Sequence, residues 1–125
     1  MSRILVPSIF HAIHFSHNFN RQGIGIDIHQ LTGHSGTILQ HRECVPDKLI
    51  LPTSVINLDC LPAHPDLSKI ERELYQKRGR ELILDRALKK IEGYDYLIID
   101  TPPNLGLLTE NALCASKWVL IPCQM

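Results

Sequence analysis

The chain has 125 residues, with 13 Lys+Arg against 13 Asp+Glu, a formal net charge of zero and a pI near 7. That length suits one domain, and the charge balance gives no support to a basic nucleic-acid module. Hydrophobic residues make up 44%, enough for a packed core, and no apolar run approaches the roughly 18 residues of a membrane span.

An apolar stretch from Ile4 to Phe15 follows Arg3. Pro7, His11 and His14 interrupt it and no small-residue cleavage site follows, so a secretory leader is not expected. The four cysteines (Cys44, Cys60, Cys114, Cys123) include no C-x-x-C pair. They suit reduced thiols in a cytosol better than a disulfide scaffold.

Composition shifts near residue 47. Residues 1–46 hold five charged residues and six of the seven histidines, and residues 47–125 hold the other 21 charges. The first part is poorly patterned; residues 1–22 lack a coherent apolar stripe and are expected to pack less well than 57–124. It has one possible strand, Ile24-Gly25-Ile26-Asp27-Ile28, a short apolar run containing a carboxylate. His11, His14 and His17 share a three-residue spacing. No acid or cysteine lies near to complete a metal site, and an irregular, partly exposed segment is the expectation. Gly23-Ile24-Gly25 lacks the third glycine of a dinucleotide fingerprint, and Gly33-His34-Ser35-Gly36 is not a nucleophile elbow.

The second part is regular. Asn57 to Leu61 predicts a strand ending before Pro62. Asp66 or Ser68 then opens a helix. Ser68 with Glu71 has capping-box spacing, and Leu67, Ile70 and Leu74 form one stripe. Gly79 interrupts. A second helix is predicted from about Arg80 to Glu92, with Leu84, Ala87, Leu88 and Ile91 on one face, and Gly93 stops it. The basic cluster Lys77, Arg78, Arg80 has acids nearby and is expected to be a solvated surface.

Tyr94 to Asp100 reads as a strand buried on both faces, because its apolar residues are consecutive. Thr101-Pro102-Pro103 must end it, since proline removes ladder donors. Leu107 to Ser116 predicts a helix, and Trp118 to Pro122 another continuous apolar strand. Strands alternating with helices predict an α/β class with a parallel sheet.

The strongest local feature is Leu97-Ile98-Ile99-Asp100-Thr101-Pro102-Pro103. An acid here ends a parallel strand, and ligands of open α/β sheets bind beyond the strands' carboxyl ends. Such a carboxylate can hold the water shell of a Mg²⁺ that bridges nucleotide phosphates. The competing reading is that Asp100 caps the next turn.

Several blocks together carry a family resemblance. They are Asn57-Leu58-Asp59-Cys60-Leu61-Pro62-Ala63, Asp66-Leu67, Gly79-Arg80-Glu81, Tyr94 to Pro103, Asn104 to Leu113 and Val119 to Gln124. Their order and spacing resemble the middle of a ParA/Soj-type partition ATPase, of the ParA/MinD branch of P-loop NTPases, over residues 57–124. The resemblance implies a parallel sheet flanked by helices, here an incomplete P-loop NTPase fold: a partial domain over 47–125 behind the poorly patterned 1–46. It also implies ATP and Mg²⁺ as cofactors. Asp100 matches the Walker B-type metal-side acid. Thr101, Pro102, Pro103 and the loop to Gly106 match the switch that senses the γ-phosphate. Asp27 matches the first acid of the family's Asp-x-Asp-Pro-Gln motif.

The departures matter as much. The family's Lys-Gly-Gly-x-Gly-Lys-Thr loop has no counterpart, since no Gly-Lys pair occurs in the sequence. The backbone cradle, phosphate lysines and Mg²⁺-binding hydroxyl go with it. His29 stands at the motif's second acid, and a neutral imidazole does not reproduce a carboxylate's charge. The sequence stops before the family's later strands, base-binding segment and C-terminal helices.

The resemblance therefore implies a chromosome or plasmid partition protein, a truncated or degenerate member. Intact members dimerise on Mg-ATP, bind DNA without sequence preference and hydrolyse ATP when a ParB-like partner stimulates them. For this chain no residue is assigned a catalytic role, inactivity alone is expected, and a cytoplasmic, non-membrane protein is implied. The alternative is a non-enzymatic interaction fragment that pairs with a full-length relative, since an uncovered sheet edge invites pairing.

Overall fold

The computed structural model describes residues 2–7, 33–41, 43–63, 67–101 and 103–123, with the side chains of residues 6 and 7 excepted. The predicted strand over 24–28, Asp27, His29, the three spaced histidines, Pro102 and Gln124 therefore lie outside the described residues.

Four strands form one sheet in the order β2-β3-β1-β4. They are β1 (Ile4–Pro7), β2 (Leu51–Pro52), β3 (Leu58–Leu61) and β4 (Tyr96–Leu97). β1 lies between β3 and β4 and runs parallel to both, while β2 joins β3 antiparallel. The sheet is mixed and mostly parallel, flanked by helices. These are α1 (Ser35–Gln40), α2 (Leu67–Leu74), α3 (Ile83–Leu88) and α4 (Leu107–Ala115), with short 3₁₀ turns at Pro46–Leu49 and Arg80–Leu82.

The α2 stripe is as the spacing predicts: Leu67, Ile70 and Leu74 are all buried. They join Leu39, Ile83, Leu84, Leu88, Leu107, Leu108 and Ala112 in a core between helices. A second cluster of Leu5, Ile38, Leu61 and Ala87 seats α1 and α3 on the sheet.

Several expectations change in the folded chain. The second helix is shorter: a 3₁₀ turn leads into α3, which ends at Leu88 rather than Glu92. Lys90 and Ile91 N–H groups reach back three residues, to Ala87 and Leu88 C=O, which tightens the last turn. Gly93, at φ +82°, then reverses the chain in a region that L side chains rarely adopt. The capping box does not form, because α2 already starts at Leu67 and Ser68 lies inside it.

The strand over 94–100 is not buried on both faces. Tyr96 and Leu97 are the ladder residues, with a single isolated bridge further on at Asp100; Ile98 is 53% exposed, and Ile99 packs on the helical core. The reason is position: β4 is the edge of the described sheet and has a partner on one side only. Trp118–Pro122 forms no strand among the described residues, and Leu120 is 93% exposed. A continuous apolar run becomes a strand only where neighbours satisfy its backbone and cover its faces. The looser packing expected for residues 1–22 fails at Ile4–Pro7, which is an inner strand, with Leu5 fully buried.

Candidate functional site

Asp100 follows β4 by three residues. Leu5 pairs with Leu97, and Ile98 N–H donates to Leu5 C=O at 2.9 Å. Continuing that register sets Asp100 one step beyond Pro7, on the carboxyl edge of the parallel strands. This is the edge where open α/β sheets bind ligands.

Asp100 is half-buried, and burial raises its carboxyl above the ordinary value, opposed by a hydrogen bond from the Thr101 backbone N–H. The fold thus favours the protonated acid, and the folded state is penalised once Asp100 ionises. The penalty is absent below the unfolded value and grows as pH rises through the folded one. Asp100→Asn is therefore expected to raise the urea midpoint at neutral pH, with the gain closing below about pH 4. A lower midpoint for the variant at pH 7 would contradict this.

Thr101 is half-buried, Pro103 exposed. The loop is closed by Thr109 Oγ1, which donates to Asn104 C=O at 2.6 Å. Gly106 stands at the N-cap of α4 and brings no side chain to cap it. Glu71 serves instead: its Oε1 accepts from Leu108 N–H at 3.2 Å. The sequence pattern suggested a partner three residues away on α2, but the true one is 37 residues distant.

Asn111 was visible only as part of a family block. Fully buried, it joins α4 to the 3₁₀ turn and α3. Its Oδ1 accepts from Leu84 N–H at 3.1 Å, and its Nδ2 donates to Arg80 C=O at 2.8 Å and Leu107 C=O at 2.9 Å. The basic cluster is also structural in part. Lys77 Nζ donates to Gln40 C=O at 2.8 Å, and Arg80 donates to Tyr75 C=O and lies over its ring.

A cleft of about 350 Å³ lies at the opposite, amino edge and is lined by Arg3, Asp47, Asp59, Glu92 and Tyr94 among others. Its polar groups hold strands together. Arg3 Nη2 and Tyr94 OH both donate to Asp59 Oδ2 at 2.8 Å, and Arg3 N–H donates to the Asp95 carboxylate at 2.7 Å. Burial, then the Asp59 contact, push the Tyr94 phenol up to about 12. These bonds give the amino edge a clamping role.

Among the described residues no three His, Cys, Asp or Glu side chains gather as a metal site, and no helix is long and apolar enough to cross a membrane. The donor at Asp100 suits a hard, hydrated cation. The phosphate side does not fit: with no Gly-Lys pair in the sequence, the triphosphate anchor is missing.

The fold is a mostly parallel α/β sheet flanked by helices, with an acid beyond the sheet's carboxyl edge. A family model described as an AAA domain matches residues 14–125. The chain is 44% identical over 103 residues to the chromosome partitioning protein ParA of Myxococcus xanthus, covering 82% of this chain and 36% of that protein. It is 52% identical over 77 residues to the sporulation initiation inhibitor protein Soj of Bacillus subtilis, covering 61% of this chain and 30% of that one. Among solved structures, cobyrinic acid a,c-diamide synthase from Mycobacterium smegmatis, with bound ATP analog and magnesium, matches at 33% identity and TM-score 0.76, over 92% of this chain and 45% of the other. A plasmid partition protein from Borrelia burgdorferi bound to AMPPNP matches in fold, at 22% identity and TM-score 0.72, over 94% and 47%.

The chain belongs to this AAA-domain family, within its ParA/Soj partition branch, as a partial region of it. It spans about a third of the length of these curated relatives.

Proposed function

We propose that these 125 residues are a ParA-like partition unit that keeps the metal side of a nucleotide site and lacks its phosphate anchor, so that alone they do not hydrolyse ATP. The observation that carries this is Asp100 beyond the carboxyl edge, in a sequence without a Gly-Lys pair. In this reading Asp100 holds the water shell of Mg²⁺, Thr101, Pro102 and Pro103 face the nucleotide, and Asp27 supplies the first acid of the neighbouring motif. Residues 47–125 carry most of the partial domain, and residues 1–46 contribute β1 and α1 to the same sheet and core. The task is DNA segregation in the cytoplasm. Self-association, sequence-independent DNA binding and a ParB-like stimulator are the partners that family membership suggests.

Removing the cradle's N–H donors and lysines removes most of the electrostatics that hold a triphosphate. Calorimetric titration of the purified chain with Mg-ATP is expected to show no micromolar binding. Micromolar affinity that disappears in Asp100→Ala would overturn the proposal.

A further inference from the structure

We propose that Glu71 is the positioning residue for the loop that follows Asp100. That loop is held at one end by β4 and at the other by α4. The first turn of any helix leaves N–H groups without helical partners, and a cap side chain normally takes one. Here the N-cap residue is Gly106, which has no side chain, and Glu71 reaches across from α2 to accept from Leu108 N–H. Its negative charge also sits at the favourable end of the helix dipole.

Gly106 and Glu71 are matched. A Cβ on Gly106 would collide with Glu71 Oε1, the end of a flexible side chain, so a side chain there makes the carboxylate shift from its place. Gly106 has φ −88°, which any residue adopts, so close approach rather than backbone shape is what calls for glycine. α2 is itself tied to α1, through Lys77 Nζ to Gln40 C=O and Gln40 Nε2 to Glu73 Oε2 at 3.2 Å. The loop beside Asp100 is therefore anchored on the α1–α2 helix pair. Its bearing on Mg²⁺ rests on the reading of Asp100 proposed above.

The test is amide hydrogen exchange on the full chain, for Leu108 and residues 103–106, in Glu71→Ala, Glu71→Gln and Gly106→Ala. Losing a cap interaction should speed exchange at Leu108 on the order of tenfold in both alanine variants. Glu71→Gln, whose amide oxygen still accepts, should retain most of the protection. Ile70 and Leu74 amides report whether α2 stays folded. Exchange at Leu108 within twofold of wild type in both alanine variants, or equal loss in the glutamine variant, would overturn the proposal. A second arm titrates Mg²⁺ alone and follows the Thr101 amide resonance. A response in wild type that shrinks in Glu71→Ala supports positioning, and one that is unchanged despite faster Leu108 exchange overturns it. No wild-type response would sink the Mg²⁺ reading of Asp100, while the exchange data still decide the role of Glu71.

Discussion

Leu5→Ala is expected to destabilise the protein by about 2–5 kcal/mol, a large share of the roughly 5–15 kcal/mol typical of a domain. Leu5 is fully buried in β1, which pairs with β3 on one side and β4 on the other. Its side chain packs with Ile38, Leu61 and Ala87, the cluster that seats α1 and α3 on the sheet. Truncation loses transfer free energy and leaves a cavity between elements that cannot all close in. Ile98→Ala, at an exposed position of the edge, should change stability by less than about 0.5 kcal/mol. Urea unfolding of both variants checks this. A loss below about 1 kcal/mol for Leu5→Ala would mean that residues 4–7 do not form an inner strand.

Asn111→Ala is expected to cost about 2–4 kcal/mol, through polar groups left without partners more than through lost volume. Leu84 N–H loses its acceptor in the buried core, and the part-buried Arg80 C=O loses a donor. Asn111→Asp is a sharper probe. A carboxylate can still accept from Leu84 N–H, but it would face Arg80 and Leu107 C=O, which are acceptors. The introduced acid would favour its protonated form in the fold, so the deficit should ease as pH falls. Equal urea midpoints for Asn111→Ala and wild type, or a deficit for Asn111→Asp that does not vary with pH, would remove Asn111 from its place as the hub of α3 and α4.

Elements written in local chemistry were legible in the sequence. The strand over Asn57–Leu61 appears as β3 at Leu58–Leu61, and the helix over Leu107–Ser116 as α4 at Leu107–Ala115. Periodicity sets which residues three or four apart share a helix face, and a proline that stops a strand acts on its own backbone, so both signals are read from short stretches of chain. The family blocks likewise pointed to the ParA/Soj relationship that the comparisons bear out. Asp100 was found because an acid after four apolar residues and before two prolines is a local signal.

Residues whose role depends on a distant segment were misread or missed. Glu71 was paired with Ser68 because spacing is all that a linear pattern offers, whereas the orphan N–H it satisfies belongs to another helix. Asn111 carried no mark of burial, since the groups it bonds are mostly backbone, present at every residue. Tyr96–Ile99 and Trp118–Ile121 are equally apolar in sequence, yet one contributes an edge strand and the other none among the described residues.

By itself the sequence determined the α/β class, the apolar stripes, the strand that leads to Asp100 and the absence of a Gly-Lys pair. Only the tertiary structure decided that Ile4–Pro7 is an inner strand, that β4 is an edge of the described sheet, and that Glu71 caps α4. The physical reason is range. Propensity and periodicity act within a turn or two of chain, whereas strand neighbours, burial and cap partners are set by groups far apart in sequence that meet only when the core closes.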